Sequence, residues 1–293
     1  MTTEISWELY RSFLGVLREG SLSGAARSLG LAQPTLSRHV AELEKSLGVP
    51  LFTRSQSGLL PTEAALALRS HAEAMSSTAA SLRRAAESHG DGVRGTVRVS
   101  ASEVIGAEVL PPILAKLRQQ HPQLKVELVL TNRVQDLLRR EADIAVRMTE
   151  PKQDVLIARR VADVLIGLHA RKDYLVRHGT PKKPGDLAQH ALIGFDEQTA
   201  FIRSATRKMP TWTRDSFSIR TDSDLAQLAL IRAGCGIGMC QVQLAKRDPS
   251  LVRVLHRQLE LKLETWIAMH EDLRGSARCK VTFDALVKAL AER

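Results

Sequence analysis

Gln33, Thr35, Ser37 and Arg38 crowd the start of one short segment, and they carry the hydrogen-bonding groups that read nucleic acid. An arginine forks onto a guanine edge or a phosphate, a glutamine amide pairs with adenine, and a threonine offers a methyl to thymine as well as a hydroxyl. Pro34 among them suits the first turn of a helix, where a missing N–H costs little. Leu36, Val40, Leu43 and Leu47 recur at helical spacing, so one face of that helix is apolar. The opposite face carries Pro34, Arg38, Ala41 and Lys45, with Thr35 and Ser37 on its flanks. The N-terminal amides of such a helix also favour a phosphate. Alanine-rich three-helix bundles without any ligand share the apolar pattern, so the pattern alone leaves both readings open.

A second polar set lies at the ends of apolar runs farther along. Ser100 and Ser102 follow Val97 and Val99, Thr131 and Asn132 follow Val126 to Leu130, and Arg147 closes the run that begins at Ala142. Thr221, Asp222 and Ser223 precede a helix starting near Asp224. In open α/β sheets, ligands bind beyond the carboxyl ends of strands, at helix N-termini. Ser102 and Asp222 suit helix caps equally well. Arg147, at a buried edge, needs an anion, which is either a protein carboxylate or one from a ligand.

Other chemistries find no support. Gly234, Gly236 and Gly238 form GxGxG after a helix, not the GxGxxG between strand and helix that cradles a dinucleotide. No nucleophile–base pair and no set of His and Cys at metal-ligand spacing is visible, so neither an enzyme nor a metal or cofactor is expected. Cys235, Cys240 and Cys279 include no CxxC pair. They read either as a redox sensor or, more in keeping with base rates, as small buried apolar side chains.

These residues imply a set of elements to hold them. A helix over about 6–18 ends at Gly20, and Ser21 or Ser23 caps a short second helix that turns Ala25, Ala26 and Leu29 inward. Gly30 and Leu31 make a turn into the third helix, which Gly48 ends. Pro50–Arg54 and Leu59–Pro61, around Ser55–Gly58, read as two short strands of a wing with Arg54 at its rim. Thr62 then caps a helix to about His89, roughly 40 Å long at 1.5 Å per residue. A helix this long and small-sided cannot bury itself in a tiny winged domain, so it is expected to pack against a copy of itself. A polar break at 89–92 follows.

Beyond it, a strand at Val97–Val99, a helix over about 104–120 interrupted by Pro111 and Pro112, a strand at 126–130, a helix at Val134–Arg140 and a strand at 142–147 imply parallel pairing. The pattern then repeats loosely. Strands are expected at 154–161 and 164–170, with a short helix opening at Asp173–Leu175. Further strands are expected at Ile193–Phe195, Phe217–Ile219 and from Gly236, with a helix at Leu225–Ala233. The chain closes with a strand near Leu261–Met269 and a helix near 276–291.

The 293 residues suit two domains, and 44% hydrophobic with 25% charged residues is a soluble balance. No run is long and apolar enough to span a membrane, and Met1 to Glu4 do not open a secretory signal, so a cytoplasmic home is expected. Net charge is +10, yet residues 1–90 hold 9 Lys and Arg against 8 Asp and Glu, a net of +1 that leaves +9 for the rest. Charge alone would therefore have pointed to the wrong half for nucleic acid. With Arg147, the basic C-terminal part leans toward an organic anion as ligand.

The run Phe13 to Val40, with Gly20-Ser21-Leu22, Ala25-Ala26 and Gln33-Pro34-Thr35-Leu36-Ser37-Arg38 inside it, continues into Leu43-Glu44, Leu47-Gly48, Leu51-Phe52 and Arg54. It resembles the DNA-binding segment of LysR-type transcriptional regulators nearly continuously over the first 65 residues. Ala142-Asp143-Ile144-Ala145 and the Gly234 to Gly238 run resemble, more weakly, the effector domain of that family, which is similar to periplasmic solute-binding proteins. Two positions depart from the family. Ala32 stands where a serine is usual, and Ala65 where glycine is frequent.

The resemblance implies an α/β chain of three parts: a winged helix-turn-helix at 1–61, a linker and dimerisation helix at 62–90, and a two-lobed effector domain at 91–293. The lobes are expected at about 91–162 plus 268–293, and at 163–267. The DNA-facing set is Ser21, Ser23, Ala32, Gln33, Pro34, Thr35, Ser37, Arg38 and Arg54. The effector set is Ser100, Ser102, Thr131, Asn132, Arg147, Thr221 and Asp222, to which the family adds a loop near Phe195. Implied partners are double-stranded DNA, a small-molecule effector, further copies of the chain as homodimer or homotetramer, and RNA polymerase. A solute-binding module would lack the helix-turn-helix, and an enzyme would need a catalytic constellation.

Overall fold

The computed structural model describes residues 5–55, 58–86, 92–132, 141–151, 156–205 and 212–292. The tip of the wing at 56–57, the expected end of the long helix and most of the polar break at 87–91, the helix expected at Val134–Arg140 and positions 154–155 of an expected strand lie outside the described residues. The chain divides into two compact units, one carrying Met1–Ala86 and the other nearly all that follows.

In the first unit, α1 (Trp7–Glu19), α2 (Leu22–Leu29) and α3 (Gln33–Leu47) each end at a left-handed glycine, Gly20, Gly30 and Gly48. Their apolar stripes meet in two clusters, around Phe13, Leu43 and Leu51 and around Val16, Ala25, Leu36 and Val40. The wing is an antiparallel pair, β1 (Phe52–Ser55) and β2 (Gly58–Pro61). Leu59 donates its N–H to the Gly20 carbonyl at 2.9 Å, which straps the wing to the α1–α2 turn. Gly58 makes that approach possible. It sits at φ +124°, and a Cβ there would fall 2.6 Å from the Gly20 oxygen.

Thr62 caps α4 (Glu63–Ala86) by accepting the Ala65 N–H at 3.2 Å. A heptad that sequence reading missed runs along α4: Ala65, Leu68, Ala72, Met75, Ala79, Leu82 and Ala86 alternate at three and four residues. Ala65, Ala72 and Leu68 pack against α1, whereas Met75 and Leu82 lie exposed beyond it at 42% and 67%.

The second unit is built on β3 (Gly95–Ala101), α5 (Leu110–Gln120), β4 (Leu124–Leu130), β5 (Ile144–Arg147), β6 (Leu156–Arg171), α6 (Lys172–His178), β7 (Ile193–Gly194), α7 (Ala200–Ala205), β8 (Ile219–Arg220), α8 (Asp224–Arg232), β9 (Gly238–Gln241), α9 (Val242–Ala245), β10 (Leu251–Val254), β11 (Glu260–His270) and α10 (Ala277–Ala291). One sheet runs β10-β6-β11-β5-β3-β4, with β9 added to β6. The pairs β3–β4 and β3–β5 are parallel, as the strand–helix alternation predicts. The second half departs from that pattern, because β9, β10 and β11 all run antiparallel to β6, and the parallel pairing found there among the described residues is the short β7–β8 pair and a single Leu192–Ile237 bridge.

Two strands were expected between 154 and 170, but the chain forms one of 16 residues. The apparent break near Ala162 and Asp163 is a bulge: Arg160 faces Trp266 and Ala162 faces Thr265, so Val161 has no opposite number. On either side of that bulge lie two cores. One gathers Val97, Val99, Ile144 and Val146 with Ile267, Met269, Phe283 and Leu286, and the other gathers Leu168, Tyr174, Leu192, Trp212 and Ile237. The two lobes therefore share β6 and β11, and the first lobe takes its last strand and helix from the chain's end.

Pro111 and Pro112 do interrupt the expected helix. Ile105–Val109 form a π-helical turn before α5 begins. Pro112 has no N–H for the Glu108 carbonyl four residues back, and Arg247 Nη1 donates to that oxygen instead, at 3.0 Å.

Candidate nucleic-acid interface and ligand cleft

α3 presents Gln33, Pro34, Ser37 and Arg38 to solvent, with Thr35 half-buried beside them. Its N-cap, Ala32, makes no side-chain bond, so no side chain caps the first-turn amides, which remain open to water or an anion. The cap that sequence leaves open between Ser21 and Ser23 falls to Ser21, which accepts the Gly24 N–H at 3.2 Å, while Ser23 is exposed on α2. Arg54 is exposed on β1, opposite Leu59.

The underside of α3 is held by more than its apolar stripe. Ser12, fully buried on α1, shares a 2.8 Å hydrogen bond with His39 Nδ1. Glu44 Oε1 accepts the amides of Leu51 and Phe52 at 2.7 and 3.2 Å and so fixes the turn into the wing. The Leu43-Glu44 and Leu51-Phe52 pairs are thus joined by a bond between them.

Between the two lobes of the second unit lies a cavity of about 470 Å³. Ser102, Asn132, Arg147, Phe195 and Asp222, all expected at a ligand site, line it. Ser100, Thr131 and Thr221 are not among the described lining residues. Ser100 is buried and accepts from Arg147 Nη2 at 2.6 Å, Thr131 donates its amide to the Ala101 carbonyl, and the Thr221 carbonyl accepts from Gln227 Nε2. Arg147 also donates to its neighbour's carbonyl, Val146, at 3.1 Å. Asp222 does not cap α8. Its Oδ1 accepts the amides of Asp196 and Glu197 at 3.0 and 2.9 Å, shaping the loop after Phe195, while Ser223 caps α8 through the Ala226 amide.

Much of the lining escaped sequence reading. Ile166 on β6, Met239 and Cys240 on β9, Leu228 and Gln227 on α8, and Leu261 and Leu263 on β11 supply a large part of the wall. The alternation of Leu261 and Leu263 with Lys262 and Glu264 was an available signal, since i and i+2 share a face. Burial pushes the Cys240 thiol up to about 11, so it stays protonated near neutral pH. Cys279 is fully buried in the first core.

Among the described residues, further contacts cross between the lobes at the cleft or near it, beside the bond from Arg247 to the Glu108 carbonyl. Asn132 Nδ2 donates to Asp224 Oδ2 at 3.0 Å. Glu103 Oε2 accepts from the Ser223 hydroxyl and the Leu225 amide at 2.8 and 3.2 Å. Arg232, at the end of α8, grips the Glu108 carboxylate with both Nη atoms at 2.6 and 3.1 Å. That bond holds the Glu108 carboxyl below its ordinary range. Burial, with the nearby Glu103 carboxylate, pushes the Asp224 carboxyl up. The Gly234 to Gly238 run serves packing, since a Cβ on Gly236 would fall 2.3 Å from the Ala191 oxygen. Among the described residues, no group of His, Cys, Asp and Glu could hold a metal, and no helix is long and apolar enough to cross a membrane.

Comparison with known proteins places both units. Residues 7–66 match the family described as bacterial regulatory helix-turn-helix protein, lysR family, and residues 90–291 match the LysR substrate binding domain. The chain is 29% identical over 286 residues to the HTH-type transcriptional regulator CrgA of Neisseria meningitidis serogroup C, covering 95% of each. It is similar to the solved structure of CrgA, a LysR-type transcriptional regulator from Neisseria meningitidis, at 27% identity and TM-score 0.61 over 97% of this chain and 98% of that one. The fold is also shared with full-length AphB, a virulence activator of Vibrio cholerae, at 20% identity and TM-score 0.62 over 97% and 99% of the two chains.

Proposed function

The chain belongs to the LysR family of DNA-binding transcriptional regulators, and from that premise we propose that α3 enters the major groove while the inter-lobe cavity takes the small-molecule effector. The observation that carries the DNA side is the exposed face of Gln33, Pro34, Ser37 and Arg38 on a helix whose first amides have no side-chain cap. Arg38 and Gln33 reach base edges, Thr35 and Ser37 meet base or phosphate, and Arg54 on the wing holds the backbone. Residues 1–61 form the reading head and 62–90 the connector. The remainder forms two lobes that divide near the bulge opposite Thr265 and Trp266.

Two chains pair along α4. The part of the heptad beyond α1, Met75, Ala79, Leu82 and Ala86, supplies the seam, with Met75 and Leu82 left uncovered on the single chain, whereas Ala65, Leu68 and Ala72 are taken up by α1. Pairing sets two copies of α3 about one helical turn of DNA apart, or a multiple of it. A tetramer, action beside RNA polymerase, and a cytoplasmic home follow the family's habit. An effector shifts this assembly only as far as it binds one arrangement of the lobes better than another.

The test is a footprint on the intergenic DNA beside the protein's own gene, at two salt concentrations. Inverted half-sites with salt-sensitive protection are expected. Arg38→Ala should lose about 1–3 kcal/mol of discrimination, roughly 5- to 150-fold, with its melting temperature kept. Unchanged discrimination would return Arg38 to a surface role.

A further inference from the structure

The walls of the cavity define a chemical class for the effector, an inference that rests on reading the cleft as the effector site. A volume of about 470 Å³ accepts a ligand of drug-like size. Ile166, Phe195, Leu228, Met239, Leu261 and Leu263 give it a mainly apolar surface. A ligand body with no hydrocarbon would leave that surface wet and gain little from entering.

The charged lining is one-sided. Among the described residues Glu197, Asp222 and Asp224 line the cavity, against Arg147 alone. Arg147 is 9% exposed and already donates to Ser100 Oγ and the Val146 carbonyl. Asp222 is engaged by the amides of Asp196 and Glu197. Asp224 is different, because its described partner is the neutral Asn132 amide, on one oxygen. Among the described residues no lysine or arginine forms an ion pair with Asp224 or with neighbouring Glu103. Burial and that neighbour both raise the energy of the Asp224 charge, which is the condition a ligand cation would relieve.

We propose that the cleft takes an apolar ligand ending in an amine, with the ammonium seated against Asp224, and that it rejects carboxylates of the same shape. A carboxylate would meet three acidic side chains against the one guanidinium of Arg147, which Ser100 and Val146 already hold through two of its N–H groups, whereas an ammonium gains a charge-assisted bond. The net positive charge of the second unit acts at long range and does not decide chemistry inside the cavity.

Isothermal titration of the full chain near neutral pH tests this with three probes of one shape: 2-(1-naphthyl)ethylamine, 2-(1-naphthyl)ethanol and 1-naphthylacetate. The amine should bind about tenfold or more tighter than the acid, with the alcohol between. Asp224→Asn should shrink the amine-to-acid ratio to about threefold or less and leave the alcohol nearly unchanged. An acid that binds as tightly as the amine overturns the proposed class, as does an amine that fails to bind at about 1 mM. Leu263→Trp combined with Met239→Trp narrows the cavity from two walls and should weaken every probe about tenfold or more, with either single variant serving if the pair does not fold. Affinities for all three probes that stay unchanged in a folded narrowed variant overturn the cleft reading itself, separately from the ligand class.

Discussion

Replacing Glu108 by glutamine keeps the shape of the side chain and removes its charge, which isolates the ionic part of the grip between the lobes. Arg232 holds that carboxylate through two bonds at 2.6 and 3.1 Å, while Arg247 holds the Glu108 carbonyl and is left intact by the substitution. A fully buried charge-assisted bond contributes about 1.5–3 kcal/mol. Here the Arg232 and Glu108 side chains are 36% and 26% exposed, so solvent screening brings the expected coupling down to about 1 kcal/mol.

A double-mutant cycle of Glu108→Gln and Arg232→Met in the full chain, read by denaturant or thermal unfolding of the second unit, measures that coupling directly. Each single variant should lower the melting temperature by about 2–4 °C. The pH dependence has a definite sign. The folded carboxyl lies below its ordinary 4.5, so its contribution is present above that value and is lost as the pH falls through the folded pKa. The gap between wild type and Glu108→Gln should be flat across neutral pH, close in acid, and narrow in high salt. A coupling under about 0.3 kcal/mol, or a gap that widens in acid, would refute the assignment of an ionic contact.

Three further outcomes follow from the structure. Gly58→Ala places a Cβ 2.6 Å from the Gly20 oxygen at φ +124°, and should cost about 1–3 kcal/mol in unfolding while weakening DNA protection at the wing. Leu82→Lys puts a charge on the uncovered seam of α4 and should shift sedimentation toward the single chain, with circular dichroism unchanged; an unaltered sedimentation profile would move the pairing surface elsewhere. With its thiol pushed up to about 11, Cys240 holds roughly one thiolate in ten thousand at neutral pH, so iodoacetamide labelling read by mass spectrometry should be slow and rise steeply only toward pH 10–11.

Elements written by local rules were legible before the structure. The Leu36, Val40, Leu43, Leu47 stripe, the helix-ending glycines and the paired strands of the wing each depend on residues within a few positions of one another, and the structure has them in place. The placement of Ser102, Asn132, Arg147 and Asp222 on one cavity was legible too, because strand ends in an α/β layer converge, while Phe195 came from the family resemblance, and Ser100, Thr131 and Thr221, expected on the same grounds, are not among the described lining residues. What stayed hidden depends on pairing at a distance. Arg232 and Glu108 are 124 residues apart, and Ser12 and His39 are 27 apart. β6 looked like two strands because a bulge is defined by its partner, β11, which lies about a hundred residues on. The direction of the sheet's second half was lost for the same reason, since hydrophobic pattern marks a strand but not the strand beside it.

The sharing of β6 and β11 also constrains how the protein is made. The first core opens at Val97 yet needs Ile267, Met269, Phe283 and Leu286 to close it, while the second core lies wholly between Leu168 and Leu255. On the ribosome the chain emerges from its N-terminus at about 5–20 residues per second. The lobe that starts first is therefore finished last, and for several seconds the sheet of β3, β4 and β5 waits with its β11 edge bare. A growing chain in that interval displays an unpaired strand edge, the feature that recruits chaperones and invites aggregation. A nonsense mutation even near residue 275 would leave a complete reading head attached to a lobe that can never close.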